Sequence, residues 1–205
     1  MKKRMLSLLL AVALVLGLCP SVFAAGSSYA DVLDTHWAHP YIEDVTEKGI
    51  MNGVDDKNFA PEDAMTRAMF VTVLARLSGD TLTEQTSFSD VPAGQWYSAA
   101  VSWAAENGIV SGFGDGTFRP NDALTRAQAA VMLCAFAAFT QDDVTVRADL
   151  SAYSDAGQIP SWAMDAMQWA NARQLIIGRD SAHLAPTAAT TRAEMASILS
   201  AYIRK

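Results

Sequence analysis

Set in register, three stretches of the chain carry the same spacing of apolar and polar positions. After Trp37, Trp96 and Trp162, apolar residues fall one, four, five and eight places on. In the middle stretch these are Tyr97, Ala100, Val101 and Ala104. That spacing gathers one stripe on one face of a helix. A second stripe follows in each stretch: Val73, Leu74 and Leu77; Met132, Leu133 and Phe136; Ile198, Leu199 and Tyr202. Its helix is predicted to start at Thr66, Thr125 and Thr191. Thr191 with Glu194 forms a capping box, and Thr125 with Gln128 a version of it, whereas Met69 leaves Thr66 as the only cap of its helix. Gly49 and Gly108 are predicted to end the first helix. The third stretch has Gln174 at that place, which predicts a different cap there. The loop between the helices is fullest as Gly112-Phe113-Gly114-Asp115-Gly116-Thr117-Phe118. Its aromatic is expected to tuck inward while glycines accept positive φ.

The same landmarks recur at constant offsets. Thr-Arg-Ala occurs at 66–68, 125–127 and 191–193, each Thr 29 residues after its Trp. Sixteen residues after the Trp stand Gly53, Gly112 and Gly178. Phe59, Phe118 and Leu184 follow, then Pro61, Pro120 and Pro186, which bar the second helix from starting early. Asp31, Asp90 and Asp155 open the units. The expected repeats span 29–79, 87–139 and 152–205, with polar linkers at 80–86 and 140–151. One repeat cannot bury both of its stripes. Three can, by packing around a shared axis, so one cooperative unit is expected rather than three beads.

The N-terminus is set apart from this pattern. Lys2, Lys3 and Arg4 precede an apolar run from Leu6 to Leu18, and Val22-Phe23-Ala24 offers small residues for cleavage. Residues 1–24 are therefore expected to be a secretory signal peptide. The run is short for a membrane span, which takes about 20 residues, so no transmembrane segment is expected in the mature chain. Cleavage removes three of the 15 basic residues and none of the 22 acidic ones, leaving a formal charge of −10. That balance argues against nucleic acid and against a polybasic membrane surface. Of the two cysteines only Cys134 remains, in an apolar helical setting, as a small buried hydrophobe.

Asp-Val, Trp, Gly-Ile, Gly, Phe-x-Pro and Thr-Arg-Ala, carried three times behind a leader, resemble the S-layer homology (SLH) domain family. The resemblance implies a mainly α fold: three helix-loop-helix repeats in a pseudo-threefold spindle around a central helical bundle. It also implies a secreted protein of the cell wall or S-layer. Such a protein attaches non-covalently to a secondary cell-wall polysaccharide, typically one bearing pyruvylated N-acetylmannosamine, in grooves between repeats. The copies depart from the pattern at Met69, Gln128, Gln174, Leu184 and Ala156, which implies three grooves of unequal competence.

Glycan contacts are expected at Arg67, Arg126, Arg192, Trp37, Trp96, Trp162, Asp31, Asp90, Asp155, Gly53, Gly112 and Gly178. Each Arg sits at the first position of a helix whose initial N–H groups lack intrahelical partners. Fork and helix end together suit a carboxylate. The alternative is a structural clip to the repeat's own Asp. A Trp ring suits a sugar face, or anchors its helix to the core. Each Asp accepts from sugar hydroxyls or caps the first helix. Each Gly admits a ligand or allows a turn. His36, His39 and His183 do not recur at equivalent places, and the prominent carboxylates recur once per repeat, unlike a single asymmetric catalytic site. No catalytic residue, metal or cofactor is assigned. The loop carboxylates lack the oxygen set of a Ca²⁺ site. The rival to glycan anchoring is a scaffold or adaptor for other envelope proteins.

Overall fold

The computed structural model describes residues 29–85 and 88–204; the leader expected over 1–24 lies outside them. The described residues form helices α1 (His39–Glu47), α2 (Arg67–Ser78), α3 (Ser98–Glu106), α4 (Arg126–Phe139), α5 (Met164–Ala172) and α6 (Arg192–Ile203). Two 3₁₀ turns, Ala156–Gln158 and Ser161–Ala163, lead into α5. Among the described residues there is no strand, only three isolated antiparallel bridges.

The second helix of each repeat begins as its sequence predicts. Thr66, Thr125 and Thr191 are extended N-caps whose hydroxyls accept from Met69, Gln128 and Glu194 N–H at 3.2, 3.2 and 3.1 Å. Gln128 and Glu194 return the bond to the cap's own N–H at 3.1 and 3.0 Å. The first helices have no side-chain cap. At their far ends Gly49 and Gly108 are left-handed (φ 65° and 68°), and Gln174 takes the same conformation at φ 57°. The different cap expected there is thus corrected: the third copy keeps the geometry and bears the strain.

Both stripes are buried. Ala38, Ile42 and Val45 of the first repeat, Tyr97, Ala100, Val101 and Ala104 of the second, and Ala163, Ala166, Met167 and Ala170 of the third lie in the core. The second-helix stripes join them, with Leu77 half-buried at the margin. Cys134 is half-buried rather than enclosed, and burial pushes its thiol pKa up.

The pairing of helices crosses repeat boundaries. α2 packs on α3, α4 on α5, and α6 closes back onto α1. At the helix starts the chain forms a ring: Met65 N–H donates to Thr190 O, Thr190 N–H to Leu124 O, and Leu124 N–H to Met65 O, each at 2.8 Å. Around it each helix start is capped by a neighbouring repeat. Arg67 and Ala68 N–H donate to Asp122 and Pro120 carbonyls at 3.1 and 2.9 Å. Arg126 and Ala127 reach Ala188 and Pro186 at 3.0 and 2.9 Å, and Arg192 and Ala193 reach Asp63 and Pro61 at 2.9 and 2.8 Å. The unpartnered amides expected at the helix starts are therefore already occupied. The fold satisfies them from the next repeat, because buried N–H groups left unbonded are costly.

Candidate glycan-binding grooves

The three Asp carboxylates do not cap the first helices. Asp31 accepts from Phe59 and Ala60 N–H at 2.9 and 2.7 Å, Asp90 from Phe118 and Arg119 at 2.7 and 2.7 Å, and Asp155 from Leu184 and Ala185 at 2.8 and 2.7 Å. Ala60, Arg119 and Ala185 are left-handed at φ 56°, 58° and 52°. Each carboxylate thus pins a strained loop corner with two charge-assisted bonds. The capping expectation gives way to this structural role. Burial works to raise the Asp155 pKa, but its two N–H partners outweigh it and hold the group below the usual range.

The glycines seat aromatic side chains. A Cβ on Gly53 would meet Tyr29 at 2.4 Å, one on Gly112 would meet Phe88 at 2.3 Å, and one on Gly178 would meet Tyr153 at 2.8 Å. Tyr29 and Phe88 in turn pack against Phe59 and Phe118, with centroids 5.5 and 5.6 Å apart. Sequence reasoning overlooked these aromatics, although one stands eight residues before Trp37 and Trp96 and nine before Trp162.

The tryptophans are 54%, 60% and 60% exposed at Trp37, Trp96 and Trp162. None is a core anchor. The apolar neighbour one place on, Ala38, Tyr97 or Ala163, does that work instead.

The three arginines are only 4–5% exposed, and none reaches its own repeat's Asp. Each Nε donates to a carbonyl of a neighbouring repeat: Arg67 to Phe118 at 2.8 Å, Arg126 to Leu184 at 2.8 Å, and Arg192 to Phe59 at 2.7 Å. Arg126 Nη2 also donates to Ile177 O, and Arg192 Nη2 to Asn52 O at 2.8 Å. The Arg67 terminal nitrogens have no hydrogen-bond partner among the described residues. Its guanidinium lies between the Phe113 and Phe118 rings, 4.8 and 4.6 Å from their centroids. Burial lowers all three pKa values, that of Arg67 to about 10, with Asp122 opposing the shift there. At neutral pH Arg67 is therefore a buried cation. Neither Arg67 nor Arg192 forms an ion pair among the described residues.

Two grooves open beside these cations. The first, about 560 Å³, is lined by Arg67, Gly112, Phe113, Gln128 and Trp162. The second, about 430 Å³, is lined by Arg192, Gly53, Val54, Met69, Arg76 and Trp96. Each draws its Arg from one repeat, its loop and helix from the next, and its Trp from the third. Gln128 gives its carbonyl oxygen to Thr125 N–H and keeps its NH₂ as a donor. A carboxylate entering the first groove meets a desolvated guanidinium, an amide donor and an aromatic face, a set suited to an acidic sugar.

The sequence profile of the S-layer homology domain matches residues 28–69, 87–130 and 152–196. The chain belongs to this family. It is 30% identical over 212 residues to an endoglucanase of Bacillus sp. (strain KSM-635), covering 99% of this chain and 22% of the enzyme. It is 29% identical over 168 residues to the surface-layer 125 kDa protein of Lysinibacillus sphaericus, 80% of this chain and 14% of that protein. It is 32% identical over 133 residues to the S-layer protein sap of Bacillus anthracis, 64% of this chain and 16% of that protein. The SLH chain thus spans less than a quarter of each of these relatives. Family and relatives mark a cell-surface, S-layer-type protein whose general role is cell-wall anchoring. No helix among the described residues is long and apolar enough to cross a membrane.

Proposed function

We propose that this SLH chain anchors non-covalently to the wall by binding the carboxylates of an anionic, pyruvylated secondary polysaccharide in its inter-repeat grooves, without catalysis of its own. The observation that carries this reading is the Arg67 guanidinium: buried, charged and in no ion pair among the described residues, at the wall of an open groove beside exposed Trp162. A buried cation gains most from an anion that arrives with matching geometry, because its desolvation has already been met by the fold. A pyruvate ketal supplies such an anion on a sugar whose apolar face can lie on the indole. Arg192 with Trp96 supplies a second, similar setting.

The test is sedimentation with purified wall sacculi, before and after chemical removal of the pyruvyl groups. Binding is expected to saturate on native sacculi, to fall at least tenfold after depyruvylation, and to weaken as salt rises. Undiminished affinity after that treatment overturns the reading. W162A is expected to lower affinity while stability stays within about 0.5 kcal/mol, as for an exposed side chain. A stability loss with unchanged binding would return Trp162 to a structural role.

A further inference from the structure

The position built on Arg126 differs in kind from the other two. Two wall positions vary around the ring: the seventeenth residue after each Trp, and the fourth residue of each Thr-Arg-Ala-x element. Beside Arg67 these are Phe113 and Gln128, and beside Arg192 they are Val54 and Met69. Beside Arg126 they are Arg179 and Glu194. Glu194 Oε1 accepts from Arg179 Nε at 2.8 Å and Oε2 from Arg179 Nη2 at 2.9 Å, a two-point fork. The same Oε1 lies 3.8 Å from Arg126 Nη1. Arg179 is further fixed by a bond from Nη2 to Ala189 O at 2.7 Å. Arg126 commits Nε and Nη2 to backbone carbonyls, so its remaining nitrogen faces Glu194.

We infer that Glu194, clamped by Arg179, is an internal counterpart of the ligand's carboxylate that keeps the Arg126 position closed, so that the chain takes two acidic sugar groups and not three. This inference rests on the carboxylate-binding reading above. At Arg67 and Arg192 the cation lacks a paired anion; at Arg126 the chain provides one. An incoming acid must separate Glu194 from two guanidiniums. It must also disturb the capping box, since Glu194 Oε2 holds Thr191 N–H at 3.0 Å.

The groove beside Arg67 suggests how to open the closed position. Gln128 closes a capping box in α4, so E194Q removes the charge and keeps the start of α6. R179F then copies Phe113. Titration calorimetry with the monosaccharide pyruvylated N-acetylmannosamine is expected to count two equivalents for the wild type and three for R179F/E194Q. Exposed Trp residues supply a second measurement: W96A and W162A are each expected to lose one equivalent, and W37A none. Three equivalents in the wild type, an equivalent lost in W37A, or a folded R179F/E194Q that still counts two would each overturn the inference. A wild type that binds none of the sugar fails the parent reading, and this inference with it. A wild type that binds three fails this inference alone.

Discussion

Asp90 shows how a residue that looks like a ligand contact is committed to the backbone. Its two oxygens hold Phe118 N–H and the strained Arg119 N–H. Asn offers one acceptor oxygen in place of two, so D90N is expected to cost about 1–3 kcal/mol of stability, measured by urea unfolding. Asp155 adds a pH dependence of definite sign. Its folded-state pKa is depressed, so its contribution is present above the unfolded value of about 3.9 and is lost as pH falls through the folded value. Melting temperature is expected to drop on acidification below about pH 4, and less steeply in D155N. Thr190 is the opposite case. It takes the ring position held elsewhere by Met65 and Leu124, and its Oγ1 is buried without a hydrogen-bond partner. T190V keeps the β-branched shape, leaves both ring bonds in place and is expected to stabilise by roughly 1 kcal/mol.

At the scale of elements, helix starts and stops followed local chemistry closely. Thr caps, capping boxes and glycine stops stand where the repeat places them, because each is a bond or a torsion within a few residues. Gln174 is instructive: the tertiary fold imposes a left-handed turn on a residue that disfavours it, and Gln174 Nε2 returns a bond to Asn171 O at 3.1 Å. Left-handed backbone costs an ordinary residue roughly 1–2 kcal/mol, part of which is offset by glycine's greater freedom when unfolded. Q174G is accordingly expected to raise stability by about 0.5–1 kcal/mol, seen as a higher urea midpoint.

The whole molecule is held by closure. α1 finds its partner not in its own repeat but in α6, where Ser200 Oγ donates to Asp44 and Arg204 lies 3.3 Å from the same carboxylate. The linker over 140–151 is strapped onto α5 by Trp169 Nε1 donating to Asp143 O at 3.2 Å, with Leu150 buried. Damage in one repeat should therefore reach all three. I42A, which empties a core site of α1, is expected to cost about 2–5 kcal/mol. Far-UV ellipticity and calorimetry should still show one coincident transition. A separate early transition for one helix pair would mean that the repeats melt as independent units.

From sequence alone came the repeat, the helices with their caps and stripes, and the family. These rest on periodicity and on contacts within a few residues, which a linear string carries directly. The arginines were found the same way, but their surroundings were not. The amides at the helix starts are satisfied by residues at least 52 positions distant, and by Asp63 and Pro61 across most of the chain at the start of α6, and each groove is assembled from three repeats. The identical Asp, Gly and Trp landmarks then separated into corner clamps, aromatic seats and exposed faces according to what the fold brought against each. Burial and partnership depend on neighbours far along the chain, so only the closed tertiary ring decided which arginines were left without a paired anion.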